Sequence, residues 1–283
     1  MATGCLRFNL PNIEHICPDL IQYVVLFLGK TRPGVGARDT TMTLHSASLE
    51  RLVPDELAQD DATGLQTLAL HIARYEFAAR LLPSGRLLDV GCGAGYGTGL
   101  LTERCGQGTR VLGIDIAPEA IQYAEERYAA PGVDFRVGDA LTFADEAGFD
   151  GIVALEIVEH VDDPQALIQH LLALLHPGGV LVASVPTTPS TDLNPHHRHD
   201  FTESSFRALF RQDGLVEIDC LRQKQRVPLA AVIFRREARM QDMRRGLVRY
   251  YLQHPRALLQ RLKATATHGF ANCYATIAWR KMP

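Results

Sequence analysis

A chain of 283 residues with 46% hydrophobic and 22% charged residues has ample material for a core. It has the balance of a soluble globular protein built as one large domain or as a domain with an appendage. Its formal net charge of -3 speaks against a nucleic-acid partner and against an acidic tail. The six cysteines (Cys5, Cys17, Cys92, Cys105, Cys220 and Cys273) form no CxxC pair and no close zinc spacing, which predicts free thiols in a reducing compartment and a cytoplasmic location.

Residues 1–62 read as an N-terminal extension with no assignable chemistry, and the methyl-rich patch Ile21 to Leu28 is too short to span a bilayer. Residues 63–283 read as the main domain. It opens with an amphipathic helix over Thr63 to Leu82, where Leu65, Leu68, Ala69, Ile72, Tyr75, Ala79 and Leu82 recur at three- and four-residue steps. His71, Arg74 and Tyr75 on that helix either border a ligand pocket or belong to its solvated face. The stretch LLDVGCGAGYGTGLL, from Leu87 to Leu101, then reads as a buried strand, a glycine-rich loop and a helix start. Asp89 stands near the strand's end, and Gly91, Gly93 and Gly95 let an extended ligand lie against bare main chain at a helix N-terminus. A dinucleotide fingerprint requires glycine at position 96, where this chain has Tyr96, so a nicotinamide cofactor fits poorly.

A second strand, Val111 to Ile116, ends around Asp115, about 20 residues beyond the glycine loop, where a carboxylate can accept ribose hydroxyls. A helix from Pro118 to Tyr128 and a strand from Val133 to Val137 follow. Asp139, in Gly138-Asp139-Ala140, either takes the exocyclic amine of an adenine or caps a turn. The fourth strand, Gly151 to Leu155, runs into EIVEHVDDP and a helix from Pro164. The fifth, Val180 to Val185, runs into a long polar loop, TTPSTDLNPHHRHD, with the size of a lid or substrate loop. A helix from Thr202 to Gln212, a strand from Leu215 to Leu221 and a last strand from Tyr274 to Trp279 complete the pattern. Between those two strands lies a helical insertion over residues 223–272. From Arg222 to Lys263 the sequence holds twelve arginines and lysines against Glu237 and Asp242, a net of 12 − 2 = +10. It reads as a solvated face, as a cap over an anionic substrate, or as a peripheral contact with an anionic membrane. The fold class is α/β: a Rossmann-like, doubly wound, mostly parallel seven-stranded sheet with ligands at the strands' carboxyl ends.

The segments LLDVGCGAGYG, GIDIAPEAIQYAEERY, VGDA, FDGIVALEIVEHVDDP and HPGGVLVASVP, in this order, resemble the motifs of class I S-adenosylmethionine-dependent methyltransferases across Thr63 to Leu221. EIVEHVDDP is similar to the quinone O-methyltransferase subgroup, while ERLVP, ARYEFA and NPHHRHDFTESSFRALF look more like methyltransferases of bacterial glycan synthesis. The resemblance implies S-adenosylmethionine as cofactor. By position, Asp89, Gly91, Cys92 and Gly93 would contact its methionine part, Asp115 its ribose, Ile116 its adenine face and Asp139 with Ala140 its adenine edge. Leu155 would bring its backbone near the methionine amine, and His71 and Tyr75 would border the site. This cofactor has no pyrophosphate, so Tyr96 is permitted.

The sulfonium activates the methyl group, and the protein's task is alignment plus, for an alcohol acceptor, a base. His160 is one candidate base, with a structural role under the loop as its alternative; His197, grouped with His196, His199 and Asp200, is the other. Glu156 and Glu159 either join a metal site with Asp162 or Asp163 or act as helix-entry caps, HHxH lacks the partners of a sound metal site, and no metal ligand is assigned. The expected function is O-methylation of a small molecule, first a sugar or glycan precursor and second a quinone or isoprenoid phenol; a non-catalytic cofactor-binding protein is the alternative of another class. Oligomeric state is left open.

Overall fold

The computed structural model describes residues 52–54, 62–226 and 242–283. The N-terminal extension, apart from Leu52 to Pro54, lies outside the described residues, as do residues 227–241 of the insertion. The chain runs α1 (Ala62–Leu81), β1 (Arg86–Val90), α2 (Tyr96–Arg104), β2 (Arg110–Asp115), α3 (Pro118–Tyr128), β3 (Val133–Val137) and β4 (Phe149–Leu155). It continues through α4 (Pro164–Leu174), β5 (Leu175–Pro186), α5 (Glu203–Ala208), β6 (Leu215–Arg226), α6 (Leu247–Gln253), α7 (Pro255–His268) and β7 (Ala271–Lys281).

The seven strands form one sheet in the order β3-β2-β1-β4-β5-β7-β6. β1 to β5 pair parallel with one another, and β7 runs antiparallel between β5 and β6. The order reverses between β1 and β4, so the crevice outside their carboxyl ends is where an open α/β sheet takes a ligand. Strand alternation divides the core in two. Leu87, Val111, Val153 and Val182 face α1, α2 and α3, whereas Leu88, Ile152, Leu181 and Ala183 face Leu167 and Leu171 of α4 and Phe206 of α5. Each fully buried leucine of this kind contributes about 1.5–3 kcal/mol. By the same alternation Asp89, between Leu88 and Val90, points beneath α1 and α2, and Ser184 points to that side as well.

Several boundaries differ from the sequence reading; β4 and β5 begin earlier, at Phe149 and Leu175, and others change the insertion and a helix. β6 continues to Arg226, and β7 begins at Ala271, so the insertion spans 227–270 rather than 223–272. Polar residues conceal this extension in the sequence. Gln223 and Gln225 lie inward and are buried because they pair with α1: Gln223 accepts from Arg74 Nε at 2.7 Å, and Gln225 donates to Thr67 Oγ1 at 3.0 Å. The expected helix over Thr202 to Gln212 is helical only over α5; its Thr202–Ser205 capping box starts it, and beyond Ala208 the chain turns so that Phe210 stacks on Trp279 at 3.5 Å. Among the described residues Cys92, Cys105, Cys220 and Cys273 are free thiols, and no helix is long and apolar enough to cross a membrane.

Candidate active site

The glycine loop turns as its composition demands: Gly91, Gly93 and Gly95 have φ of 70°, 54° and 85°, in the region that side chains disfavour. Gly97 serves differently. A Cβ there would lie 2.0 Å from the Tyr75 ring, so glycine is what lets α1 lay Tyr75 across the start of α2. Tyr75 is therefore buried rather than solvated, and its hydroxyl donates to both oxygens of Asp89, at 3.2 and 3.3 Å. Thr98 Oγ1 donates to Asp89 Oδ2 at 2.7 Å. Burial pushes the Asp89 carboxyl up to about 7, against the opposing pull of the Thr98 and Tyr75 hydrogen bonds. The Cys92 thiol beside it is raised far out of the reactive range, chiefly by burial.

Asp115 closes the loop from the next strand. Its Oδ2 accepts from Gly93 N at 3.0 Å and its Oδ1 from Ala117 N at 2.9 Å. Gly91 N and Cys92 N both donate to the Ile114 carbonyl, which fixes the loop on β2. Ile116 follows, 70% exposed. Asp139 is exposed and caps its own turn, accepting from Leu141 N at 2.9 Å, while Ala140 is half-buried at the sheet's edge. His71 meets the Tyr96 hydroxyl at 3.1 Å. Leu155 is buried at the end of β4, paired with Ser184.

The residue after Leu155 carries the only left-handed non-glycine backbone among the described residues: Glu156, with φ of 52°. Its carboxylate accepts from Ser184 Oγ at 2.7 Å and lies 3.2 Å from Arg74 Nη1, in an ion pair whose angles fall short of a hydrogen bond. Arg74 is 1% exposed, held also by Gln223 and by the Tyr274 ring 4.3 Å from its guanidinium carbon. The solvated-face reading of Arg74 is thereby replaced: α1 is covered by β6 and β7, and the arginine is an interior group pinning the end of β4.

The loop after β5 folds back over EIVEHVDDP. Arg198 N and His199 N both donate to the Glu159 carbonyl, and Arg198 pairs with Asp162. His160 and His197, far apart in sequence, come edge to face with ring centroids 4.7 Å apart. Since His160 Nδ1 lies 3.2 Å from the His196 carbonyl oxygen, Nδ1 carries the proton in the neutral ring and Nε2 is the basic nitrogen. His197 Nδ1 meets Ser190 Oγ at 2.7 Å. The other two histidines of the HHxH run do not join them: His196 turns to Asp242, and His199 Nε2 points to the Val161 carbonyl. Glu159, which the sequence offered as a cap or as a member of a metal site, is fully buried beneath the pair. One ligand atom each of Glu159, His160 and His197 lies within 4.8 Å of the others, a spacing that admits a shared proton network or one divalent ion.

The insertion grips the same loop. Arg261 of α7 donates to both oxygens of Asp192, at 2.8 and 2.5 Å, and to the Pro189 carbonyl; Tyr251 of α6 donates to Asp192 at 2.6 Å. Arg244 donates to the carbonyls of Thr191 and Leu193. Two cations of the basic segment are thus structural. No signal in the local sequence could have paired Asp192 with Arg261.

Residues 88–183, from β1 through β5, match the family of methyltransferase domains. Over these residues the chain carries a methyltransferase domain. A ubiquinone biosynthesis O-methyltransferase from Xanthomonas axonopodis pv. citri is 40% identical over 149 residues, which is 50% of this chain; the chain spans 61% of that relative's length. Among solved structures, the N-methyltransferase NodS from Bradyrhizobium japonicum, in complex with S-adenosyl-L-homocysteine, superposes over 79% of this chain and 89% of its own with a TM-score of 0.50 and 19% identity. The [4+2]-cyclase SpnF does so over 78% and 84%, with a TM-score of 0.52 and 18% identity. One fold therefore hosts several reactions, and the reaction must be argued from the site.

Proposed function

We propose that the chain binds S-adenosylmethionine across the carboxyl ends of β1 and β2 and transfers its methyl group to a hydroxyl of a quinone-type or isoprenoid phenol. The observation that carries the reading is the pair Asp89 and Asp115 around the Gly91–Gly93 turn, with the His160–His197 pair facing the same end of β4. In this reading the buried Asp89 meets the methionine end and Asp115 the ribose. Ile116 covers an adenine face, with Asp139 and Ala140 at its edge. Leu155 lends backbone near the amine.

The acceptor hydroxyl loses its proton to His160 Nε2 or His197 as its oxygen attacks the methyl carbon in line; the carbon–sulfur bond breaks, and the sulfonium leaves as a neutral thioether. The phenolic class is favoured over the sugar class because several curated relatives matching this half of the chain are named for ubiquinone biosynthesis.

The test is a calorimetric titration of the full chain with S-adenosylmethionine, S-adenosylhomocysteine and NADH, followed by mass-spectrometric assay on a catechol bearing a short prenyl chain. Binding of the first two ligands with methylated product is expected. Binding of NADH alone would overturn the cofactor, and cofactor binding without turnover on phenols, sugars or amines would make the protein a non-catalytic binder.

A further inference from the structure

The described part of the insertion has two faces. Tyr251 of α6 and Arg261 of α7 turn inward to Asp192, together with the half-buried Leu247, Ala257 and Ala264. On the other side α6 exposes Val248 and Leu252, at 77% and 80%, and α7 exposes Leu258, Leu259 and Leu262, with Leu259 at 66%. These are i, i+4 and i, i+1, i+4 positions, so each helix presents one narrow aliphatic stripe away from the domain. Five large aliphatic side chains on two adjoining helices are too many to be scattered surface residues.

The cations accompany the stripes. Arg245 and Arg249 lie on the exposed side of the turn and helix that carry Val248 and Leu252. Arg256 and Lys263, seven residues apart, share one flank of the α7 stripe. From Met243 to Asn272 the sequence contains no aspartate or glutamate, so neither helix itself carries a group that repels an anion. Aliphatic side chains bordered by cations, on short helices lying on a folded body, are the pattern of an element that rests in the headgroup layer of an anionic bilayer. A nucleic acid would leave the leucines in water, and an apolar protein groove would leave the four cations unmatched.

We propose that the outward face of α6 and α7 docks the protein on an anionic membrane surface, with Val248, Leu252, Leu258, Leu259 and Leu262 entering the headgroup boundary and Arg245, Arg249, Arg256 and Lys263 meeting lipid phosphates. Because Arg261 and Tyr251 fasten these helices to the loop bearing His197, docking fixes the site relative to the bilayer. The inference stands apart from the methyl-transfer reading, since lipid binding and cofactor binding fail separately.

The test is sedimentation of the full chain with large vesicles of phosphatidylcholine alone and of phosphatidylcholine with about 30% phosphatidylglycerol. Binding to the anionic vesicles is expected to be at least about tenfold tighter. Two double variants, Leu252→Glu with Leu259→Glu and Arg249→Glu with Arg256→Glu, are each expected to lose at least about tenfold while keeping the wild-type thermal midpoint. No binding by the wild type, or undiminished binding by either variant, would overturn the proposal. So would a concentration-dependent dimer in sedimentation velocity that the leucine variant dissolves, because a second copy would then cover this face.

Discussion

The phenol of Tyr75 donates to both carboxylate oxygens of Asp89 in a pocket that water does not reach, so a helix preceding the sheet sets the charge state of the residue at the tip of its first strand. Burial holds the Asp89 carboxyl near 7 against an ordinary value of about 3.9. A raised carboxyl contributes stability that is fully present below the unfolded value and is lost as pH rises through the folded one. The ionised form above pH 7 is costly to the empty protein and is relieved by a cationic ligand group. Cofactor affinity is expected to rise with pH and level off above it, being about tenfold weaker at pH 6 than at pH 8. Calorimetry across that range checks this; a flat profile would show that Asp89 does not meet the cofactor's charge. Asp89→Asn should both weaken binding and flatten the profile.

The Arg74–Glu156 pair should show strong coupling. Arg74→Met takes the cation from the Glu156 carboxylate, which among the described residues keeps only its bond from Ser184, and is expected to cost about 3 kcal/mol in chemical denaturation. Adding Glu156→Gln should restore about half of that loss. Additive costs in the double-mutant cycle would mean that the two charges do not interact.

Removing the imidazoles one at a time separates catalysis from binding. His160→Ala and His197→Ala are each expected to lower turnover by about a hundredfold with nearly unchanged cofactor affinity. Treatment with EDTA should change wild-type turnover by less than about twofold, as general-base chemistry requires. Abolition by the chelator and recovery with a divalent ion would instead assign Glu159, His160 and His197 to a metal.

Asp192 tests the tie between insertion and loop. Burial alone would raise its carboxyl, but the hydrogen bonds and charge of Arg261, with the Tyr251 hydroxyl, hold it below the usual carboxylate range. A depressed carboxyl contributes stability above its unfolded value that is lost as pH falls through the folded one. Asp192→Asn is expected to cost about 2–4 kcal/mol at pH 7, and less as the pH falls below about 4. Equal destabilisation at both pH values in denaturant titrations would show that the charge is immaterial.

The parallel half of the sheet and the two loop aspartates were legible because their cause is local. Apolar runs such as Leu87–Val90 and Val111–Ile114 announce buried strands, and the glycines between them announce a loop at a helix start. The other groups became visible only with the fold. Gln223 and Gln225 disguise the end of β6 because their partners lie on α1, about 150 residues away. Arg74 reads as a surface residue until β6 and β7 cover it. His160 and His197 were each candidates for a base, but their contact depends on the loop folding back onto the Glu159 carbonyl. The sugar acceptor expected first came from similarity in three short segments, ERLVP, ARYEFA and NPHHRHDFTESSFRALF, which lie outside the strands of the sheet.

β7 lies between β5 and β6 although it is made after both. During synthesis β5 must therefore wait with an open edge while the insertion is translated, because Ser184 acquires its cross-strand neighbour Thr276 only when the final strand leaves the ribosome. Any nascent chain halted before Ala271 exposes two ladders of unpaired main chain at once, and such a product is a substrate for chaperones and proteases rather than a shorter enzyme.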